Sequence, residues 1–288
     1  MYIKFEMLSQ KFLQTSSESS KLRPFSKKFK LKERSVKTRR NVTMNPLDRM
    51  EELGTRRFGV IFDFEAVVVP SPAHLEKGDW CCIATEESLA TPTEYQLRVA
   101  FRKHSTHAIS QIFHWSADPS RLVYLVQKKS DMFRQRVALV SRVSENLVRF
   151  LSLLRDFDVP CALYSSQLRT AQLVDVLRDL NLEEYFMKDV NAAGVIGYDY
   201  IRSGLPDTET FIVAGNLISR SPSKCIIISD NNLAIEAAAE LGAKSIIVSE
   251  PGTRAAWDSC SASMVVPSLA CVSFRNLQNI FSLETYES

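Results

Sequence analysis

The chain has 288 residues, is 45% apolar and 24% charged, and carries a formal net charge of +3, values of a globular protein of one large domain, or of a core domain with a smaller insertion. No window approaches the roughly 18–20 uninterrupted apolar residues of a membrane-spanning helix, so no membrane partner is expected. Six cysteines without a CxxC pair or a regular framework argue against a disulfide scaffold or a zinc site.

The charge is unevenly placed. Residues 1–45 hold twelve Lys and Arg against three Glu, a local balance of +9 that leaves −6 for the remainder. The stretch "QTSSESSKLRPFSKKFKLKERSVKTRR" is basic, hydroxyl-rich and poor in acids, and it lacks the apolar core of a secretory signal. Residues 1–50 therefore predict a transit segment for an organelle. The alternative is a cationic tail on a cytoplasmic protein; nucleic acid is not expected as its main partner.

From residue 58 the pattern is regular. "FGVIF" (58–62) is a short continuous apolar run, as in a parallel strand buried on both faces, and it ends in Asp63 with Glu65 two residues on. Residues 71–145 then show helical periods without a good strand, punctuated by Ser and Asp-Pro elements, and predict an all-helical insertion. Strands and helices alternate afterwards. "SENLVRFLSLLRDF" reads as a helix, "VPCALYS" as a strand and "LRTAQLVDVLRDLNL" as a helix. "FMKDVNAAGVIG" holds a short strand, "DTETFIVAGNLI" a helix, "KCIIIS" a strand, "NLAIEAAAELG" a helix ending in Gly242, and "AKSIIVS" a strand. Such repeats imply an α/β protein with an open parallel sheet. Its core comprises residues 56–70 and 146–280, interrupted by the helical insertion.

Chemistry is expected where polar residues follow apolar strands, because in open α/β sheets the ligand crevice lies at the carboxyl ends. Asp63 and Glu65 close the first strand, Ser165 and Ser166 the second, and Ser229, Asp230, Asn231 and Asn232 a later one. Acids and hydroxyls gathered at one rim suit a hard cation such as Mg²⁺, held through oxygen, and a phosphate held by hydroxyl and helix N-terminal N–H groups. The bland alternative makes Ser165 and Asp230 helix caps, which leaves the paired acids at 63 and 65 unexplained. Four histidines (His74, His104, His107 and His114) lie in the insertion without metal-ligand spacing.

"VIFDFEAVVV", "CALYSSQLRTAQLVDVLRDLNLEEYF", "SGLPDTETF" and "CIIISDNNLAIEAAAELGA" resemble, in order and spacing, the four motifs of the haloacid dehalogenase-like hydrolases. The wording around them is similar to a plant subgroup that includes chloroplast phosphatases of a riboflavin-pathway intermediate. The resemblance implies a Rossmann-like core, a helical cap over residues 71–145, a plastid location and a Mg²⁺-dependent phosphomonoesterase acting on a small phosphorylated metabolite, with a monomer as the default state. It implies Asp63 as the nucleophile forming an aspartyl-phosphate, Glu65 as acid/base, Ser165 and Ser166 as phosphate ligands, and Asp63, Glu65 and Asp230 around the metal.

The departures carry equal weight. Glu65 stands where the family has Asp, moving the carboxyl by about one C–C bond, ~1.5 Å, and ~1 Å misplacement of a catalytic group can cost on the order of 100-fold. Ala66 replaces a Gly, and Leu205 stands where the family has the Lys that neutralises the reacting phosphoryl group. Arg202 or Arg169 could supply that charge; Lys224, at the far end of its strand, could not. These departures sustain a second reading, a catalytically impaired relative that binds a phosphate ligand or serves as a scaffold. Trp80, Arg102, His104, His107 and Trp115 are candidates to line the cap.

Overall fold

The computed structural model describes residues 58–70, 73–140, 142–187, 194–249 and 261–282; the expectation for residues 1–50 lies outside them. Six parallel strands form one sheet in the order β3-β2-β1-β4-β5-β6. They are β1 (Gly59–Asp63), β2 (Cys161–Tyr164), β3 (Val195–Ile196), β4 (Cys225–Ser229), β5 (Lys244–Val248) and β6 (Met264–Val266). Apolar residues on both faces of each central strand dictate this burial: Val60 and Phe62 enter one core with Leu163 and Ile226, while Ile61 enters the other with Ala162 and Ile227. Alternation of period two thus feeds two apolar layers, as a sheet covered on both sides requires.

Between β1 and β2 the described residues form helices, turns and loops and no strand. The insertion holds α1 (Ala73–Glu86), α2 (Glu94–Ala100), two short turns (Ser105–His107 and Ala108–Ile112) and α3 (Pro119–Val137). Starts and stops follow local chemistry. Thr93 and Gln96 form a reciprocal capping box before α2, and Asp118 caps α3 with Pro119 in its first turn, each satisfying N–H groups that a helix start leaves open. Trp80, Ile83, Leu97, Ile109, Phe113 and Leu125 form the insertion's own apolar cluster.

The remaining helices are α4 (Glu145–Asp156), α5 (Thr170–Asp179), α6 (Glu183–Phe186), α7 (Glu209–Leu217), α8 (Asn232–Glu240) and α9 (Phe274–Ser282). Gly242 follows α8 at φ +64°, as anticipated. Neither β6 nor α9 is foreseen in the sequence reading. Among the described residues no helix is long and apolar enough to cross a membrane, and Cys161 and Cys225 are buried strand residues.

Because β1 lies between β2 and β4, its carboxyl end is the point where the connections diverge to the two halves of the sheet, the ordinary place for a ligand crevice. The register sets Asp63 beside Tyr164 and Phe62 beside Ile228, so Asp63 also stands level with Ser229.

Candidate active site

β1 stops at Asp63, and residues Phe64–Val68 turn in a wide helical loop whose start the Asp63 carboxylate caps, accepting from the Glu65 N–H at 3.0 Å. Ala66 in this turn is not among the residues at positive φ, so the missing Gly imposes no left-handed strain. The other Asp63 oxygen accepts from the Tyr164 hydroxyl at 2.9 Å and the Ser229 hydroxyl at 2.6 Å. Asp63 is 1% exposed. Its carboxylate is therefore held by four donors, counting Arg102 below, which is how a buried charge is tolerated.

Glu65 turns the other way. Its carboxylate accepts from the Ser165 hydroxyl, from the Ser166 N–H at 3.2 Å and from the Ser166 hydroxyl at 3.4 Å. Ser165 also accepts from the N–H groups of Gln167 and Leu168 at 3.2 and 2.9 Å, so its loop is ordered by side chain–backbone bonds rather than by capping α5, whose N-cap is Arg169. Hydroxyl and amide donors converging on two oxygens form an anion seat. The extra methylene of Glu65 carries the protein's own carboxylate into it. Burial, and next the charge of Asp63, push the Glu65 carboxyl up to about 7, against the pull of Arg102 and the serine donors.

The cation that meets these acids comes from the helical insertion. Arg102 follows α2, is 1% exposed, and lies against three parts of the rim at once. One terminal nitrogen is 3.3 Å from Asp63 Oδ1 and 3.7 Å from Glu65 Oε2; the other donates to the Glu65 carbonyl at 2.9 Å and to Asp230 Oδ1 at 3.3 Å. Burial opposes the Arg102 charge, but Asp63, Asp230 and Glu65 outweigh it and raise its pKa. Burial likewise lifts the Asp230 carboxyl to about 6, with Arg102 acting downward; its side chain is 35% exposed. Tyr164 is pushed well above the ordinary phenol range by burial and by Asp63, so its hydroxyl stays a donor.

Behind Arg102 stands a second buried cation. Lys129 on α3 pairs with Glu76 at 3.1 Å, donates to Gln167 at 3.1 Å, and sits 4.7 Å from the centre of the Trp80 ring. Glu76 in turn accepts from the Arg102 backbone N–H at 3.4 Å. This chain of charges links the insertion to the Ser165 loop.

Asp63, Glu65, Ser165, Ser166 and Asp230 thus meet at one rim through these contacts. Arg202 is exposed and its backbone N–H donates to Glu209 at 2.8 Å; Arg169 donates to the Tyr198 hydroxyl at 2.9 Å. Lys224 precedes β4 at the opposite end. The cation found at the rim is Arg102, which the sequence reading grouped with the cap-lining residues. Leu205 is 6% exposed and belongs to an apolar cluster with Ile61, Tyr164 and Phe211. A cavity of about 10 Å³ remains beside Ser165, Ser166, His104, Tyr198 and Leu205, room for about one water. His104 borders it, its Nε2 3.2 Å from the Tyr198 carbonyl, while Trp80 and Trp115 pack against Phe113 in the insertion's core and His107 is exposed.

Sequence reasoning missed Tyr164, and it brought Ser229 to the rim without making it a partner of Asp63. The signal for both is position: each ends a strand flanking β1. In this arrangement Arg102 stands among the oxygens on which the Mg²⁺ expectation calls. The oxygens of Asp63, Glu65 and Asp230 already surround a guanidinium, and among the described residues no group of three His, Cys, Asp or Glu is disposed to hold a metal ion.

Fold and rim together define a haloacid dehalogenase-like hydrolase fold. It is similar to a haloacid dehalogenase hydrolase of family IA, variant 3, from Entamoeba histolytica (TM-score 0.65, 15% identity, covering 78% of this chain and 99% of that one). It is also similar to β-phosphoglucomutase from Clostridium difficile (TM-score 0.62, 15% identity, 80% and 99%) and to CbbY from Rhodobacter sphaeroides, solved with xylulose 1,5-bisphosphate (TM-score 0.60, 13% identity, 76% and 98%). In sequence the chain is 26% identical over 243 residues to the chloroplastic 5-amino-6-(5-phospho-D-ribitylamino)uracil phosphatase of Arabidopsis thaliana, covering 84% of this chain and 63% of that protein's length. No family model matches the chain.

Proposed function

We propose that this protein is a non-hydrolysing relative of the phosphatases whose fold it shares, a binding or scaffold protein whose reaction crevice is filled by its own side chains. The observation that carries this reading is the Glu65 carboxylate seated on Ser165 and Ser166, donors that an incoming phosphoryl group would need. Leu205 in its apolar surroundings and the small residual cavity support it. In this state Asp63 cannot act as a nucleophile toward phosphorus, because both of its oxygens are engaged and the space before them holds Arg102.

The retained meeting of Asp63, Ser165 and Asp230 favours one alternative, a phosphomonoesterase for a small phosphorylated metabolite that works after Glu65 and Arg102 withdraw. The similarity to the Arabidopsis enzyme makes its ribitylaminouracil phosphate the substrate to try, and a plastid the compartment that goes with it. Phosphate release from that compound and a panel of sugar and nucleotide monophosphates, with Mg²⁺ present, separates the two. The expected rate of the wild type equals that of Asp63→Asn; release by the wild type that the variant loses refutes the non-hydrolysing reading.

A further inference from the structure

We propose that the Arg102 guanidinium is this protein's resident cation, standing where a divalent ion would otherwise meet Asp63, the Glu65 carbonyl and Asp230. The inference deepens the reading of a self-filled crevice and rests on it for the state of Glu65, but it concerns a different half of the site. Three oxygens from separate elements point at the guanidinium: a β1 carboxylate at 3.3 Å, a turn carbonyl at 2.9 Å and a loop carboxylate at 3.3 Å. Oxygens of that kind and placement are what a hard cation takes, and Mg²⁺ draws them in to ~2.0–2.1 Å. A buried guanidinium and a divalent ion cannot share the space.

The backbone at Arg102 takes a turn that Ser88, His114, Asp158, Asn181 and Ser219 also take. Its φ is +58°, in the left-handed region that glycine ordinarily fills after a helix and that a residue with a Cβ enters only against a steric penalty. Ala100 ends α2 two residues earlier, so a glycine at 102 would satisfy the turn without strain. The position instead carries a long cation whose amide is held by Glu76, itself fixed by Lys129. Arg102 is in these terms a positioning residue: it orders the acids electrostatically, with fixed geometry and without exchange with solvent.

Manganese binding tests this directly, through the loss of the free Mn²⁺ electron paramagnetic signal, together with the melting temperature in EDTA and in 10 mM Mg²⁺. The wild type is expected to bind no Mn²⁺ up to millimolar concentration and to melt within about 1 °C in the two buffers. Arg102→Ala is expected to bind Mn²⁺ one to one and to gain several degrees on adding Mg²⁺, as a ligand that binds only the folded state requires. Asp230→Asn in that background should weaken the binding at least tenfold. Stoichiometric binding by the wild type overturns the proposal, and so does a folded Arg102→Ala protein that binds no ion. Should the alanine variant fail to fold, Arg102→Gln, which keeps the stem and a donor but not the charge, is read by the same criteria. A wild type that binds no Mn²⁺ yet releases phosphate would sink the functional reading and leave this one standing; one that binds Mn²⁺ and releases none does the reverse.

Discussion

Replacing Glu65 by Gln should abolish the pH dependence that this one side chain imposes on stability. The Glu65 carboxyl, ordinarily at 4.5, is raised to about 7 by burial and by Asp63. The native state therefore keeps a proton that the unfolded chain has already lost between those values. The stability this contributes is fully present below about pH 4.5 and is lost as pH rises through about 7. A rise of about 2.5 pH units corresponds to about 3 kcal/mol. Guanidinium unfolding of wild type and Glu65→Gln at pH 4.5, 5.5, 6.5 and 7.5 reads the effect, because titrations of groups remote from Glu65 cancel in the difference. The variant should gain on the wild type by about 3 kcal/mol across the series, the gain concentrated between pH 5 and 7. A difference that is flat, or that favours the wild type as pH rises, would mean that burial and Asp63 do not raise the Glu65 carboxyl, and this pH argument would fail.

Tyr164→Phe removes one donor from buried Asp63 at 2.9 Å and should cost about 1.5–3 kcal/mol in chemical denaturation, the range for bonds to a charged group. Lys129→Met leaves Glu76 buried without its cation and should cost about 3–5 kcal/mol; the double variant with Glu76→Met should recover much of that, and equal losses would show that the pair is not coupled. Leu205→Lys puts an ammonium into the cluster of Ile61, Tyr164 and Phe211; a loss above ~2 kcal/mol is expected, with no phosphate release gained, since Glu65 and Arg102 remain in place. Restored turnover from that single change would contradict the picture of a filled crevice.

The rim was legible because parallel strands leave little freedom. An apolar run that ends in a polar residue places that residue at the carboxyl edge, and three such runs (58–62, 161–164 and 225–229) delivered Asp63, Ser165 and Asp230 to one rim. What occupies the rim was not legible. Candidate cations were sought near the strands, at Arg202 and Arg169, whereas the one found lies 39 residues from Asp63 on an insertion whose loops have no periodicity to fix their direction. Nor did spacing reveal that Asp63 and Glu65 would take different partners. The strand ends at Asp63 and the turn after it abandons strand alternation, so positions i and i+2 share Arg102 but diverge beyond it. β6 was missed for a simpler reason: three residues carry too short a pattern to stand out, whereas α9 is as long as α7 and α8 and its omission has no such explanation.

The contact between Arg102 and Asp230 spans 128 positions of the chain, so the centre of the crevice joins distant parts of the sequence. During synthesis the two acids at 63 and 65 and the arginine emerge long before the fourth strand, and neither Ser229 nor Asp230 is yet there to complete their surroundings. Loop-closure entropy disfavours such distant joining until the intervening strands have assembled. The charged centre cannot be completed before β4 and the residue that follows it have been made.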